Sequence, residues 1–297
     1  MLVMACVAAC SSEPSRFISD PDASSPAVDA GGATDVGEVV DRGVIPIRDS
    51  GPQLDMTLVY AHSSSVLWAV DPRTNTLRNV GTFSFAAGAP PDHSMTDVAV
   101  DANGGLVGTT SSALYRIDTA SAACTLIAML PIPSGVGSAG FVGLTYLPAG
   151  TLDPSSEVLV GGASNGTYWR IDPSTGIATM LGQMRVGSTT YQLSGDFVSV
   201  QGAGTFATVR RMGVGSSTAD TLARMDERTG ALTLIGSNTG FQQIFGLAYY
   251  RNTLYGFTDA GQFISIDIMT GRGRMISTPA MQFYGAGVTT LAPIAPG

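Results

Sequence analysis

The sequence predicts an all-β fold built from five repeated units, and three observations support this prediction. A short phrase ending in Asp occurs five times, at residues 67–71, 114–118, 168–172, 222–226 and 263–267. The final Asp residues of successive copies are 41 to 54 residues apart, which is enough for several short strands per unit. Each copy is followed by a hydroxyl residue three positions after the Asp and then by a second apolar run. Five such units are typical of a five-bladed β-propeller.

Each unit divides into four predicted strands. In the last unit these strands fall at residues 244–249, 254–258, 262–267 and 274–277. The third strand of each unit is apolar on both faces, as expected for a sheet packed between neighbouring blades. The first unit has no inner strand of its own, and residues 283–288 align with residues 244–249. We therefore expect the carboxy-terminal strand to complete the first blade, which removes the open edge of the array.

The repeated Asp is predicted to cap the hairpin turn that follows it. Its carboxylate can accept hydrogen bonds from turn amides, and the residue four positions later must then tolerate a left-handed backbone. Four units fit this requirement, with Asn75, Gly176, Gly230 and Gly271. The second unit has Ala122 there, which predicts a different turn.

The amino-terminal residues 1–9 are all apolar or small and run into Cys10. The sequence Val7-Ala8-Ala9-Cys10 resembles the bacterial lipobox, in which the Cys becomes the lipid-carrying first residue of the mature protein. The resemblance implies a lipoprotein signal peptide over 1–9 and lipidation of Cys10. This segment is short and has no basic region, so we expect the true start codon to lie upstream.

Residues 10–55 are predicted to be the lipidated Cys and a disordered acidic linker. They are rich in Ser, Asp, Ala, Gly and Pro, show no apolar periodicity, and carry nine acidic side chains against three arginines. Such a composition cannot bury enough surface to offset the entropy of ordering. Residues 56–297 form the predicted propeller domain, with 14 acidic side chains against 12 arginines.

Composition excludes several functions. The propeller domain is almost neutral, so nothing in it favours nucleic-acid binding. The chain contains no lysine, which excludes Schiff-base chemistry. Once Cys6 and Cys10 are set aside, Cys124 is left without a disulfide partner, and its apolar surroundings predict a buried, inert thiol.

Two carboxylates are the candidate catalytic residues. Alignment of the inner strands places Gly285, Asp97, Gly143, Asp196 and Gly246 at the position that faces the central channel. Asp97 and Asp196 could act as an acid–base pair or hold a channel cation such as calcium. The sequence favours a structural role for both carboxylates, in which they form hydrogen bonds with channel waters or backbone amides. The sequence shows no spacing typical of a metal site and no cofactor motif.

The candidate binding residues fall on the top face, where the connectors between blades lie. These connectors include residues 82–94, 131–140 and 185–193. The two histidines, His62 and His93, map beside the first blade, and with Asp92 they could form a His-Asp-His cluster. Solvated loop histidines are the default interpretation. Arg210 and Arg211 end a second strand near this face and suggest an anion contact.

Residues 56–292 resemble secreted bacterial propellers of the NHL, YVTN and quinoprotein type. The signature, Leu-Tyr-x-Ile-Asp-x-x-Thr-Gly followed by an apolar strand, is shared by proteins of unrelated function. With the lipobox, the resemblance implies a cell-envelope protein, either an outer-membrane lipoprotein or a secreted or periplasmic one. The sequence favours a non-enzymatic binding or scaffold module for a protein or glycan. A hydrolase or lyase that uses the channel carboxylates with a divalent cation, and a structural spacer in an envelope complex, are the alternatives.

Overall fold

The computed structural model describes residues 59–295, which form 22 strands in five sheets. The predicted signal peptide, Cys10 and linker lie outside these residues. The first strands are β1 (Val59–His62), β2 (Val66–Asp71), β3 (Thr76–Thr82), β4 (Ser84–Phe85), β5 (Asp97–Val100), β6 (Leu106–Thr109), β7 (Ala113–Ile117) and β8 (Ala123–Met129). They are followed by β9 (Phe141–Leu147), β10 (Val158–Ala163), β11 (Thr167–Ile171), β12 (Ala178–Gln183), β13 (Arg185–Val186), β14 (Thr189–Val200), β15 (Gly204–Arg211), β16 (Thr221–Met225) and β17 (Leu232–Ile235). The last are β18 (Ile244–Tyr250), β19 (Thr253–Thr258), β20 (Phe263–Asp267), β21 (Gly273–Ser277) and β22 (Gly285–Val288).

Five antiparallel blades confirm the predicted propeller. From inner to outer strand, blade 1 is β22-β1-β2-β3, blade 2 is β5-β6-β7-β8 with β4 added at its edge, and blade 3 is β9-β10-β11-β12. Blade 4 is β14-β15-β16-β17 with β13 paired to β14, and blade 5 is β18-β19-β20-β21. Among residues 59–295, no helix has the length and apolar character needed to span a membrane.

Blade 1 is closed by the carboxy-terminal strand, as the sequence predicts. Strand β22 pairs antiparallel with β1, with Val288 opposite Val59 and Gly285 opposite His62. Phe283, just before β22, is fully buried, and its ring meets those of Trp68 and Phe257 edge-on. Closure therefore pairs an edge strand and buries aromatic surface in one step.

The inner strands β22, β5, β9, β14 and β18 surround the central axis, each packed against its two neighbours. Glycine at three of the five channel positions lets the backbones approach closely. A Cβ at Gly246 would lie 2.7 Å from the backbone carbon of Gly285 in the next blade, well inside a normal contact. The channel is therefore narrow and filled by backbone and a few buried side chains.

The repeated Asp caps its hairpin turn in every blade. In blade 4, Asp226 Oδ1 accepts hydrogen bonds from the amides of Arg228 and Thr229, at 3.1 and 2.8 Å. The corresponding carboxylates of the other blades also accept turn amides; these are Asp71, Asp118, Asp172 and Asp267. Hydrogen bonds lower the pKa of each of the five carboxyl groups, and the amides are not the largest cause in most of them. The largest cause is the Arg73 side chain at Asp71, a hydroxyl group at Asp118, Asp172 and Asp226 (from Ser121, Ser174 and Thr229), and the Thr270 amide at Asp267.

The predicted exception at Ala122 was wrong. Ala122 has a φ of 60°, close to the 71° of Gly176, and its amide donates to the Asp118 carbonyl at 2.8 Å, as Gly176 does to Asp172. The turn is the same because tertiary contacts hold it. The Ala122 carbonyl accepts the amide of Ser84 in β4, which adds to the edge of blade 2 beside it. The buried methyl group packs among the apolar residues between blades 1 and 2.

The connector at 185–193 is a hairpin rather than a loop. Strand β13 pairs with the start of β14, with Arg185 opposite Thr190. Strand β14 is 12 residues long as a result and continues from this hairpin into the channel. The hairpin therefore fixes the first half of the inner strand of blade 4, four residues of which, 192–195, line the cavity described below.

Candidate functional site at the channel mouth

Asp97 and Asp196, the candidate catalytic pair, are fully buried in the channel. Asp97 Oδ2 accepts the amide of Leu144 in the inner strand of blade 3, at 2.5 Å. Asp196 Oδ2 accepts the amide of Leu247 in the inner strand of blade 5, at 2.6 Å, and its Oδ1 accepts the amide of Phe197. Each carboxyl group thus connects its own blade to the inner strand of the next one.

The two carboxyl groups also influence each other. Burial is the first cause that raises the pKa of Asp97 well above its usual value, and the negative charge of Asp196 is the second. Burial likewise raises the pKa of Asp196, although the amides of Leu247 and Phe197 oppose it. Two such buried carboxyl groups favour sharing a proton over full ionisation of both.

His62 lies in the same buried cluster and not in solvent. Its Nδ1 is 2.7 Å from the Ser63 carbonyl, an acceptor, so Nδ1 carries the proton of the neutral ring. Its Nε2 is 3.5 Å from Asp97 Oδ1, and both residues have no exposed surface. Burial lowers the pKa of His62 from 6.5 to about 4. The expectation of a solvated loop histidine is therefore wrong for this residue, because β1 carries it inside blade 1 and next to the channel.

The proposed His-Asp-His cluster does not form. Asp92 accepts the amide and hydroxyl of Ser111, so it caps a neighbouring turn. His93 is exposed and stacks on Phe85, with ring centroids 4.4 Å apart. Within residues 59–295, no three His, Cys, Asp or Glu side chains form a group suited to a metal ion. Chain proximity beside blade 1 suggested the cluster, but His62 points to a different partner.

Cys124 is a buried thiol, as its sequence context suggests. Its Sγ lies 3.6 Å from the Ala122 carbonyl, and burial raises its pKa to about 12. The thiolate is therefore strongly disfavoured, which excludes Cys124 as a nucleophile at neutral pH.

A cavity of about 390 Å³ lies at the mouth of the channel, above the carboxylates. All five blades contribute to it through the residue just before each channel position. These five residues are Tyr284, Thr96, Val142, Gly195 and Phe245. The remaining lining residues are Ser94, Met95, Ala139, Ser164, Gln192, Leu193, Ser194, Arg210, Ser216 and Gln243. The mouth is thus a shared site that no single blade builds alone.

One wall of the cavity is aromatic. Phe245 and Tyr284 belong to the neighbouring blades 5 and 1, and both are partly exposed. A Cβ at Gly195 would overlap the backbone of Phe245, so only glycine lets blade 4 approach Phe245 this closely. The mouth is therefore asymmetric, with two aromatic side chains on one side and small or polar side chains on the others.

The wall from blade 4 carries the charged group of the cavity. Arg210 lies near the end of β15, its side chain is 9% exposed, and its guanidinium lies 3.5 Å from Oδ1 of the buried Asp220. Asp220 Oδ2 accepts the amide of Ile244 at the start of blade 5. Burial raises the pKa of Asp220, while that amide, Ser194 and Arg210 lower it. Arg211 is exposed and does not line this cavity, but both arginines line a smaller neighbouring cavity of about 230 Å³.

Sequence reasoning missed Ser194 and Asp220. Strand β15 pairs with β16 so that Val209 lies opposite Thr221, which places Arg210 opposite Asp220 at the top of the hairpin. The repeat pattern marks both strands but does not specify their register, so nothing in the sequence signalled this pair. Ser194 gives no signal of its own beyond standing two residues before Asp196.

Comparison with known proteins supports a repeat architecture. A family model described as "Repeat of unknown function (DUF6923)" matches residues 148–290, just under half of the chain. No curated protein matches the chain. Together with the five blades, this match defines a propeller-like repeat protein.

Several solved structures are similar over most of the chain. One is from work entitled "The de novo evolutionary emergence of a symmetrical protein is shaped by folding constraints", with 15% identity, a TM-score of 0.43, and coverage of 81% of this chain and 100% of that one. A protein of unknown function from Bacteroides caccae has 11% identity, a TM-score of 0.40, and coverage of 74% and 72%. The computationally designed Ika8 protein has 14% identity, a TM-score of 0.36, and coverage of 76% and 60%.

Proposed function

We propose that this protein is a non-enzymatic binding module that holds a ligand in the cavity at the channel mouth. The observation that carries the proposal is the convergence of side chains from all five blades on one cavity of about 390 Å³. Ligand sites in proteins are concave, largely preformed and lined by apolar groups with a few placed polar ones, and this cavity fits that description.

The same geometry argues against catalysis by the channel carboxylates. Asp97 and Asp196 are fully buried, and three of their four carboxyl oxygens accept backbone amides. The fourth, Asp97 Oδ1, faces the buried ring of His62 across 3.5 Å. A general acid or base must reach the substrate directly or through one water. These side chains are committed to holding inner strands together, so we assign the function to the mouth above them.

Filling the cavity tests the proposal. The full chain is labelled and applied to an array of glycans and peptides, alongside Ser164→Trp, which places a large ring at the exposed edge of the cavity. The control is Ser217→Trp, a position that is also exposed but does not line the cavity. We expect Ser164→Trp to abolish binding and Ser217→Trp to leave it unchanged. Equal binding by all three chains would place the binding site outside the cavity and overturn the proposal, and binding by none would favour the structural-spacer alternative.

We also propose that the module is attached to the cell envelope by a lipid on Cys10, which lies outside the described residues. The proposal is supported by the resemblance of Val7-Ala8-Ala9-Cys10 to a lipobox and by the acidic, Ser- and Pro-rich stretch that follows. Metabolic labelling with a palmitate analogue should mark the wild-type chain and not Cys10→Ser. Unchanged labelling of the variant would rule the anchor out.

A further inference from the structure

We propose that the ligand of the mouth cavity is a neutral saccharide, with its apolar face on the aromatic wall and its hydroxyl groups toward blade 4. This inference rests on the proposed function, and it specifies the chemical class of ligand. Three properties of the cavity support it: its charge, its hydrogen-bonding groups and its aromatic side chains.

The cavity has almost no net charge. Of its 15 lining residues, Arg210 alone is charged, and the buried carboxylate of Asp220 lies 3.5 Å behind its guanidinium. An anionic ligand drawn to Arg210 would therefore also approach a negative charge in a region of low dielectric. A cationic ligand would meet the guanidinium first. The pair thus disfavours ligands of either sign and leaves neutral polar ligands.

The polar groups around the cavity match hydroxyl groups. Serine, threonine and glutamine side chains both donate and accept, and they come from blades 2, 3, 4 and 5; they are Ser94, Thr96, Ser164, Gln192, Ser216 and Gln243. Blade 4 supplies two of these six side chains, Gln192 and Ser216. A sugar hydroxyl also both donates and accepts, so each of these side chains can pair with one in either direction.

The aromatic wall provides the apolar surface against which a sugar ring can pack. A pyranose ring has one face of C–H groups, which packs on aromatic side chains, and an edge of hydroxyl groups. Phe245 and Tyr284 offer the rings, and Tyr284 adds a phenolic hydroxyl for a polar contact. The volume of about 390 Å³ lies near the small end of the ligand-site range of roughly 300–1,000 Å³, which suits one or two sugar units.

Two substitutions test the chemistry by calorimetric titration of the full chain. The probes are glucose, galactose, N-acetylglucosamine and their β-linked dimers, compared with glucuronate and galacturonate. Phe245→Ala should weaken binding of the neutral sugar roughly tenfold by removing one ring. Asp220→Asn keeps an oxygen for the Ile244 amide but leaves Arg210 uncompensated, so it should raise the preference for the uronate over the neutral sugar by roughly tenfold.

The control for the charge change is Asp153→Asn, which alters net charge equally at a turn away from the cavity and should leave the preference unchanged. A wild-type preference for uronates would overturn the inference. The inference would also be overturned if the chain bound a peptide but no saccharide and Ser164→Trp blocked that binding. In both cases the proposed function, ligand binding in the cavity, would stand. If Ser164→Trp changes the binding of no ligand of any class, the proposed function itself fails.

Discussion

Single residues in the channel show how a buried charge can be used structurally. In the folded protein the carboxyl groups of Asp97 and Asp196 are removed from water and accept hydrogen bonds from backbone amides of the next blade. The N–O distances are 2.5 and 2.6 Å. A carboxyl group is suited to this because it offers two acceptor oxygens, so Asp196 binds Leu247 and Phe197 together. The energetic cost of burial appears as a raised pKa, not as an unpaired charge.

His62 predicts a loss of stability in acid. Its folded-state pKa is about 4 and its ordinary value 6.5, so the unfolded chain takes up a proton between these values while the folded chain does not. Stability from this residue is therefore complete above pH 6.5 and is lost as the pH falls toward 4, by about 3 kcal/mol in total. The polar groups facing the ring are Asp97 and the Ser63 carbonyl, and the ring of Phe83 meets it edge-on.

Urea unfolding of wild type and His62→Asn between pH 7 and pH 4 measures this effect. Asn retains a side-chain N–H for the Ser63 carbonyl but does not titrate. The raised pKa of Asp97 has the opposite sign, since it favours the folded state in acid, but it is present in both chains and largely cancels in the difference. We expect the wild type to lose stability relative to the variant as the pH falls. A difference that stays constant with pH would contradict this role for His62.

At the scale of elements, the hairpin turns join one blade to the next. The left-handed glycines sit against the outer strand of the preceding blade: a Cβ at Gly176 would overlap the carbonyl oxygen of Met129, and one at Gly230 would lie 2.5 Å from that of Gln183. The turn residue is therefore chosen both for its φ and for the space beside it. Ala122 has to meet only the φ requirement. The residue opposite it in blade 1 is Gly81, which has no side chain and so leaves space for the Ala122 methyl group.

Alanine substitution separates these two requirements. Gly187 has a φ of 56°, and no neighbouring atom lies within 4 Å of the position that a methyl group would occupy, so Gly187→Ala should cost about 1 kcal/mol of unfolding free energy from backbone strain alone. Gly176 has a φ of 71° and the overlap with Met129 in addition, so Gly176→Ala should cost at least about 3 kcal/mol. Chemical denaturation of both variants gives the comparison. Equal costs would mean that the turn does not press on the neighbouring blade.

The sequence predicted these elements well because each repeats. In blade 5 the predicted inner strand, 244–249, differs by one residue from Ile244–Tyr250, and the closing strand was found by aligning it with that one. Contacts between side chains on different strands were harder to predict. His62 reaches Asp97 only because β1 pairs with β22, and Arg210 reaches Asp220 only through the β15–β16 register. Such pairs depend on register and packing, which a repeat pattern alone does not specify.

At the scale of the whole molecule, stability depends on closing the ring. Deleting residues 283–297 removes β22 and the buried ring of Phe283, and it leaves β1 with an unpaired edge. We expect a loss of several kcal/mol, which for a domain of this size lowers the melting temperature by about 10 °C or more. The control truncation removes residues 295–297, which follow the last strand. A melting temperature unchanged by the longer deletion would mean that β22 does not complete blade 1.

The central claim is that the channel carboxylates hold the blades together and that ligands bind at the mouth above them. A calcium titration of the melting temperature, run on the chelator-treated full chain and on the double variant Asp97→Asn, Asp196→Asn, tests it most directly. A cation bound by the folded state raises the melting temperature with concentration. We predict no calcium-dependent rise in either chain. A rise in the wild type that is lost in the double variant would contradict the claim and restore the channel as a cation site.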